Sequence, residues 1–383
     1  MSKYFCFLFA LLLVGCNSER TSENTDSDAF NFSYTIDTLI VDSKEEIIFL
    51  NWDLETSAIS QDGKYLYNYD HSNTAIQFID LENLVFEKLL PIEKEGPNGL
   101  GGNRVYHIYA AENDHLILTD SYHVAMIDLD GNKSMNFQYD KFDFKGKKLP
   151  ETMRITSQES VSHDGSTLIT TYGDLEMKNA PSGLAFFELE KRVFSHIPIA
   201  IFSELQPYLF RYYLDGNLAG MNQADTYLIM KNDSLIITSS AFNKINFYHF
   251  STDSITTKTF QSKLTSNSAS SNYPKETHTR QELLEVGKTI EKEVDFGPLL
   301  FDEENQVYWK FSKEMDRMIE DSIVFKTVLT AFDSNFDHMQ EKLLSSDFQL
   351  PRKYFIKNGM IYTFLNIDDE LGFVRLKPTI SYE

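Results

Sequence analysis

Apolar positions along this chain fall mostly in short runs, alternating or continuous, separated by polar turns, a pattern of strands rather than helices. One unit recurs six times: an apolar run, a polar turn, a second run, another turn, and a third run ending near an aspartate. The first unit covers Ala58–Tyr67 and Ala75–Asp80 around Asp62-Gly63. The second covers Val105–Ala110, His115–Thr119 and Val124–Leu129, with turns at Asn113-Asp114 and Asp130-Gly131. The third covers Glu159–Ser162, Thr167–Tyr172 and Gly183–Leu189 around His163-Asp164-Gly165. The fourth covers Thr226–Met230, Ser234–Ser239 and Lys244–Phe250. The fifth covers Leu299–Asp302, Gln306–Phe311 and Phe325–Phe332, and the sixth Lys353–Ile356, Met360–Leu365 and Gly372–Leu376. Asp-Gly and Asn-Gly supply the positive φ that tight hairpins need.

A three-strand unit cannot bury its faces alone, so repetition means stacked blades. The expectation is an all-β chain, a six-bladed β-propeller over residues 32–383 with irregular insertions and one short helix. The strand-like leader Phe32–Leu50 is expected to pair with the last blade and close the ring. Two stretches break the pattern. Ile201–Tyr213 is aromatic and reads as a short helix or an irregular loop. Ser262–Asn272 is a Ser/Asn-rich loop leading to Thr279-Arg280-Gln281-Glu282, a capping-box sequence. A helix over Arg280–Lys292 follows, packed on the propeller or covering its mouth.

The N-terminus sets the address. Lys3 precedes the apolar run Phe5–Val14, then Leu13-Val14-Gly15-Cys16. This is the order of a secretory signal, residues 1–15, and the run is about half the roughly 20 residues needed to span a bilayer. The Leu-Val-Gly-Cys sequence resembles a bacterial lipobox, which implies cleavage before Cys16, lipid on its sulfur, and a flexible polar tether over residues 16–31. Asn17, by resemblance to Gram-negative sorting rules, points to the outer membrane of the cell envelope. Cys6 lies within the signal, so Cys16 is the sole cysteine after cleavage, which leaves no disulfide or thiolate metal site.

Composition narrows the partners. A net charge of −22 repels phosphate backbones and excludes nucleic acid as a partner. The acids are scattered, as on a solvated and monomeric surface, rather than gathered in a tail. The 30 Phe and 20 Tyr suit pleated, half-buried surfaces.

The lipobox, the tether and the six loose units together resemble the bacterial lipoproteins of domain-of-unknown-function family 4221, related to TolB-like six-bladed propellers. Glu95-Gly96-Pro97-Asn98-Gly99, followed by Val105–Asp120 and Ile127-Asp128-Leu129-Asp130-Gly131, is similar to a Gly-x-Gly-Pro-x-Glu-Phe element of those propellers, although Asn98-Gly99-Leu100 replaces its end. The resemblance implies fold and export, and no reaction.

Motifs for chemistry are sparse. The chain has no His-Glu-x-x-His, no Cys-x-x-Cys, no EF-hand loop and no Gly-x-Ser-x-Gly, so no metal or cofactor is expected. The candidate inner-strand runs are mostly apolar, aromatic or hydroxylic. The best candidate ligand residues are Arg104, Tyr106, His107, Tyr122 and His123 beside the glycine-rich Gly99–Gly102 loop, with Arg211 next to Tyr212 and Tyr213. Arg and Tyr recognise ligands by forked hydrogen bonds and ring contact. The expected function is a membrane-tethered module binding a protein, peptide or glycan. The alternative is a hydrolase or lyase acting on an extracellular sugar or lactone through loop-borne residues.

Overall fold

The computed structural model describes residues 30–101, 104–156, 159–346 and 348–382. Cys16, the signal and nearly all of the tether lie outside them. Six sheets of at least four strands, antiparallel but for one short parallel pair in the third, succeed one another along the chain. Sheet 1 contains Ser57–Ile59, Tyr65–Asp70, Ala75–Asp80 and Val85–Pro91. Sheet 2 contains His107–Ala111, His115–Thr119, His123–Asp128 and Lys133–Gln138. Sheet 3 is built on Thr167–Asp174, Gly183–Glu188 and Val193–Pro198, with the short inner pieces Met153–Ile155 and Ser160–Val161 both paired to Thr167–Asp174. Sheet 4 contains Thr226–Lys231, Ser234–Ser239, Lys244–His249 and Ser254–Thr259. Sheet 5 contains Asp295–Asp302, Val307–Ile319, Ser322–Phe332 and His338–Leu343. Sheet 6 joins Tyr354–Lys357, Met360–Ile367 and Glu370–Tyr382 to Phe30–Ile40 from the other end of the chain.

The core is divided into six wedges, one between each pair of successive sheets. Tyr67 and Phe78 meet Leu116 and Ile127 between sheets 1 and 2. Ile117 and Val124 meet Phe187 and Phe194 between sheets 2 and 3. The remaining wedges lie between sheets 3 and 4, 4 and 5, and 5 and 6. The sixth returns to the start, packing Tyr362, Phe364 and Phe373 against Leu66 and Ile79 of sheet 1. The cycle of contacts therefore closes, which is the propeller arrangement expected of an all-β chain. It also explains why so many strands are apolar on both faces: each sheet is covered twice.

The repeated aspartates have a local task. Asp80 accepts the backbone N–H groups of Glu82 and Asn83, and its other oxygen accepts the Asn83 amide at 2.8 Å. Asp70 with Asn73 and Asp302 with Asn305 repeat the device, an Asx turn between strands.

The helix occupies Arg280–Lys292. Thr279 Oγ1 accepts the Glu282 N–H at 3.2 Å, and the Glu282 carboxylate accepts the Thr279 N–H at 3.1 Å. Ile201–Tyr213 resolves into a 3-10 stretch, Ala200–Tyr208, and a strand, Phe210–Leu214, in a small three-stranded sheet with Asn217–Asn222 and Glu276–Thr277. These insertions connect the outer strand of one sheet to the inner strand of the next. They therefore stand on the face where the inner strands begin. The sheet-5 hairpin also extends past Lys313, which pairs with Asp295 at the inner strand's start. The side of that face at sheets 4 and 5 is thus built up.

Candidate functional site

Four carboxylates lie at or just before the starts of four inner strands: Glu55, Glu159, Asp225 and Asp295. The corresponding place on sheet 6 carries Arg352 and Lys353, and on sheet 2 His107. The ring closure brings these groups to one mouth of the central channel.

Asp225 and Asp295 keep solvent-accessible surface, yet protein atoms crowd round their carboxyl groups. Burial pushes the Asp225 carboxyl up to about 6. The charges of Asp295 and Glu55 add to this, against a hydrogen bond from Tyr227 and the charge of Arg352. Burial also raises Asp295, opposed by Lys313 and Lys310. Tyr227 and Tyr354 are both pushed upward by desolvation. Tyr354 is seated edge-on to Phe311, 5.1 Å between centroids.

A cavity of about 340 Å³ opens beside this cluster, lined among others by Glu55, His107, Tyr109, His163 and Lys353, a size at the lower end of ligand pockets. Lys353 Nζ donates to Ser57 O at 2.6 Å, and burial lowers the amine to about 8 against the attraction of Glu55. Arg352 donates to Glu55 at 2.8 Å. His107 Nδ1 lies 3.3 Å from the Glu159 carboxylate, whose side chain is only 1% exposed. Tyr139 donates to that carboxylate at 2.9 Å and Tyr109 to the Glu159 carbonyl at 3.0 Å. At the opposite end of the inner strands Gln61 donates to Ala110 O and His163 O, at 2.7 and 3.0 Å, tying three sheets together as a floor. Among the described residues no three His, Cys, Asp or Glu side chains converge as metal ligands. The site therefore offers donors, acceptors and both signs of charge around an open space.

Of the six residues singled out from sequence, His107 lines the cavity. Tyr106 and Arg104 stand on the rim: Tyr106 is 38% exposed and its carbonyl accepts Thr56 Oγ1 at 3.2 Å, while the charge of Arg104 reaches His71. Tyr122 and His123 belong to the hairpin after Asp120, which accepts both their N–H groups and meets His123 Nδ1 at 3.1 Å. Arg211 sits apart in the three-stranded sheet, bonded to Glu276 and beside the Tyr213 ring. The carboxylates of the mouth went unremarked in the sequence because each precedes an apolar run as any solvated turn residue would.

Among the described residues no helix is long and apolar enough to cross a membrane. A family model described as Domain of unknown function (DUF4221) matches residues 29–343. The crystal structure of a DUF4221 member from Bacteroides vulgatus aligns over 93% of this chain and 99% of its own, with TM-score 0.65 and 14% identity. The WD40 domain of Neurospora crassa Pan2 aligns over 84% of this chain and 88% of its own, with TM-score 0.41 and 11% identity. No curated protein matches the chain. With most of its length matched by that family model, and its fold shared with a family member, the chain belongs to the DUF4221 family.

Proposed function

We propose that this protein is an exported, lipid-anchored binding module that takes a protein, peptide or glycan at the channel mouth. The observation that carries the reading is one open cavity lined by Glu55, His107 and Lys353 from three different sheets, with Asp225 near enough to feel the charge of Glu55. Fold alone says little about function; convergent polar groups around a concavity say more. The signal-like segment and Cys16 support envelope attachment, with the outer membrane as the expected site. The test uses the mature protein with fractionated envelope extract. One fraction should raise its melting temperature, as a ligand of the folded state must, and His107→Gln should diminish the rise. No active fraction, or an equal rise in the variant, overturns the reading. Cys16→Ser should release the protein from membranes and abolish incorporation of radiolabelled fatty acid.

A second reading, a hydrolase or lyase, is favoured by one feature. Burial raises Asp225 to about 6 and lowers Lys353 to about 8, so each changes protonation nearer neutrality than an ordinary aspartate or lysine does. Turnover of a sugar or lactone that disappears in Asp225→Asn would establish it; no turnover across a panel of both substrate types would dismiss it.

A further inference from the structure

We infer that Trp52, in the turn Asn51–Leu54 just before the inner strand of sheet 1, is a stacking platform for a pyranose ring of a neutral saccharide. The inference rests on the binding-module reading and names its ligand class.

The chain has two tryptophans. Trp309 is wholly buried, whereas Trp52 is 57% exposed. The backbone lifts it there. Trp52, Asp53 and Leu54 hold φ of 57°, 52° and 58°, three successive left-handed residues without a glycine. Side chains other than glycine, asparagine and aspartate rarely adopt this region, and then singly. The turn is closed by the Glu55 N–H on Trp52 O at 2.9 Å and by Ser57 Oγ on Leu54 O at 2.6 Å. Its entrance is fixed by Phe49, whose N–H donates to Gln77 and whose carbonyl accepts Asn68. This geometry drives Leu54 into the wedge between sheets 6 and 1 and leaves the indole outside. Strained backbone persists where the surroundings over-determine it, and such places cluster at ligand sites.

The indole is braced by ring edges. His71 lies 4.5 Å and Phe49 6.2 Å from it, both steeply inclined, with Tyr69 edge-on to His71 at 4.8 Å. His71 Nε2 meets Thr56 Oγ1 at 3.4 Å, and Thr56 reaches the Tyr106 carbonyl. A continuous chain of contacts thus runs from the indole to Tyr106, the residue preceding His107 in the cavity wall.

The flanking charges select the ligand. The charge of Arg104 reaches His71 beside the indole, and Glu55, three residues on from Trp52, is paired with Arg352, so a stacked ion of either sign would have a like charge nearby. A neutral pyranose meets neither penalty. Its C–H face lies against the π face, and its hydroxyls donate to the carboxylates and accept from the guanidinium groups.

The test exploits the tryptophan count. The mature protein is screened on an array of neutral and charged glycans. Cellotetraose, maltotetraose, mannotetraose and xylotetraose are then titrated while tryptophan emission and acrylamide quenching are followed. A neutral glycan should bind saturably and shield the exposed tryptophan. Trp52→Ala should weaken binding at least tenfold, Trp52→Tyr should retain it within a few-fold, and the Trp309 emission of both variants reports that the fold is intact. No neutral glycan bound, binding unchanged in Trp52→Ala, or a preference for charged glycans overturns the inference. If an envelope fraction raises the melting temperature of Trp52→Ala as it does that of the unsubstituted protein, the platform fails and the channel-mouth reading stands. If a glycan is lost with Trp52 but indifferent to His107→Gln, the platform stands and the channel-mouth reading fails.

Discussion

Arg375 grips Asp37 with two parallel hydrogen bonds, Nε at 2.9 Å and Nη2 at 2.7 Å, across the seam where the two ends of the chain meet. The two residues are register partners in the last sheet, 338 positions apart in sequence. Lys377 adds a second contact to the same carboxylate at 2.7 Å. The hydrogen bond from Arg375, then that from Lys377, holds the Asp37 carboxyl well below the usual carboxylate range.

Asp37→Asn should therefore destabilise the protein at neutral pH by about 1 kcal/mol, the upper end for a partly exposed pair because the fork is two-pronged. A lowered folded-state value means that the stabilisation is fully present above the unfolded carboxyl value of about 3.9. It fades as the pH falls below that towards the folded value. Urea midpoints of both proteins should differ at pH 7, and the difference should narrow progressively as the pH is lowered below about 4.

Asp225 titrates in the opposite sense. Its folded value near 6 exceeds the unfolded one, so its ionisation costs stability as the pH rises from about 4 to 6. Asp295→Asn should lower the Asp225 midpoint by removing a like charge, and Arg352→Gln should raise it. Carbon-13 carboxyl NMR titration reads both shifts, and a midpoint indifferent to either substitution would show that the three groups do not share one mouth.

Lys310 is 1% exposed, its Nζ has no hydrogen-bond partner among the described residues, and it lies 5.0 Å from the Phe296 ring. Burial lowers the amine to about 7, against the charge of Asp295. The unfolded lysine keeps its proton to about pH 10, so between pH 7 and 10 the unfolded state binds more protons and stability should climb with pH. Lys310→Met should remove that slope and be more stable at pH 6 by on the order of 3 kcal/mol. Thermal melts across that pH range decide it, and an unaltered slope would assign the effect elsewhere.

Gly297 lies in the irregular stretch of sheet 5 facing Tyr354. A Cβ there would sit 2.1 Å from Tyr354 Oη and 3.4 Å from Phe311 O. Gly297→Ala should displace the tyrosine from the mouth and cost about 1–3 kcal/mol. A denaturant midpoint equal to that of the unsubstituted protein would contradict the close approach.

How much of this was legible in the sequence can be judged element by element. The helix Arg280–Lys292 falls where the capping-box letters placed it, because both reciprocal hydrogen bonds are local. The three inner runs of each unit were visible because sheets covered on both faces keep apolar residues throughout. The outer strands were not: Val85–Pro91 and Ser254–Thr259 alternate weakly and carry polar side chains, as edges facing water do. Sheet 5 begins at Asp295, four residues before the apolar run that marked it, because a bulge after Phe296 and an acidic first residue interrupt the pattern.

The candidate site divides in the same way. Its rim at Tyr106 and His107 was found as a chemical cluster along the chain, since those residues are neighbours in sequence. Glu55, Asp225, Asp295 and Lys353 were not, being 4 of the 92 Asp, Glu, Lys and Arg residues of an acidic chain (57 acidic and 35 basic) with nothing local to distinguish them. Trp52 was equally silent, since left-handed φ at three successive non-glycine residues leaves no compositional trace.

The sequence by itself determined strands, turns, the helix cap and the signal-like N-terminus, because each is decided by residues within a few positions of one another. Tertiary structure alone decided that Asp37 meets Arg375 and that Asp225 feels the charges of Glu55, 170 residues before it, and Asp295, 70 residues after it. Those relations depend on six wedges closing into one cycle, and closure is a property of all the sheets together, which no single segment encodes.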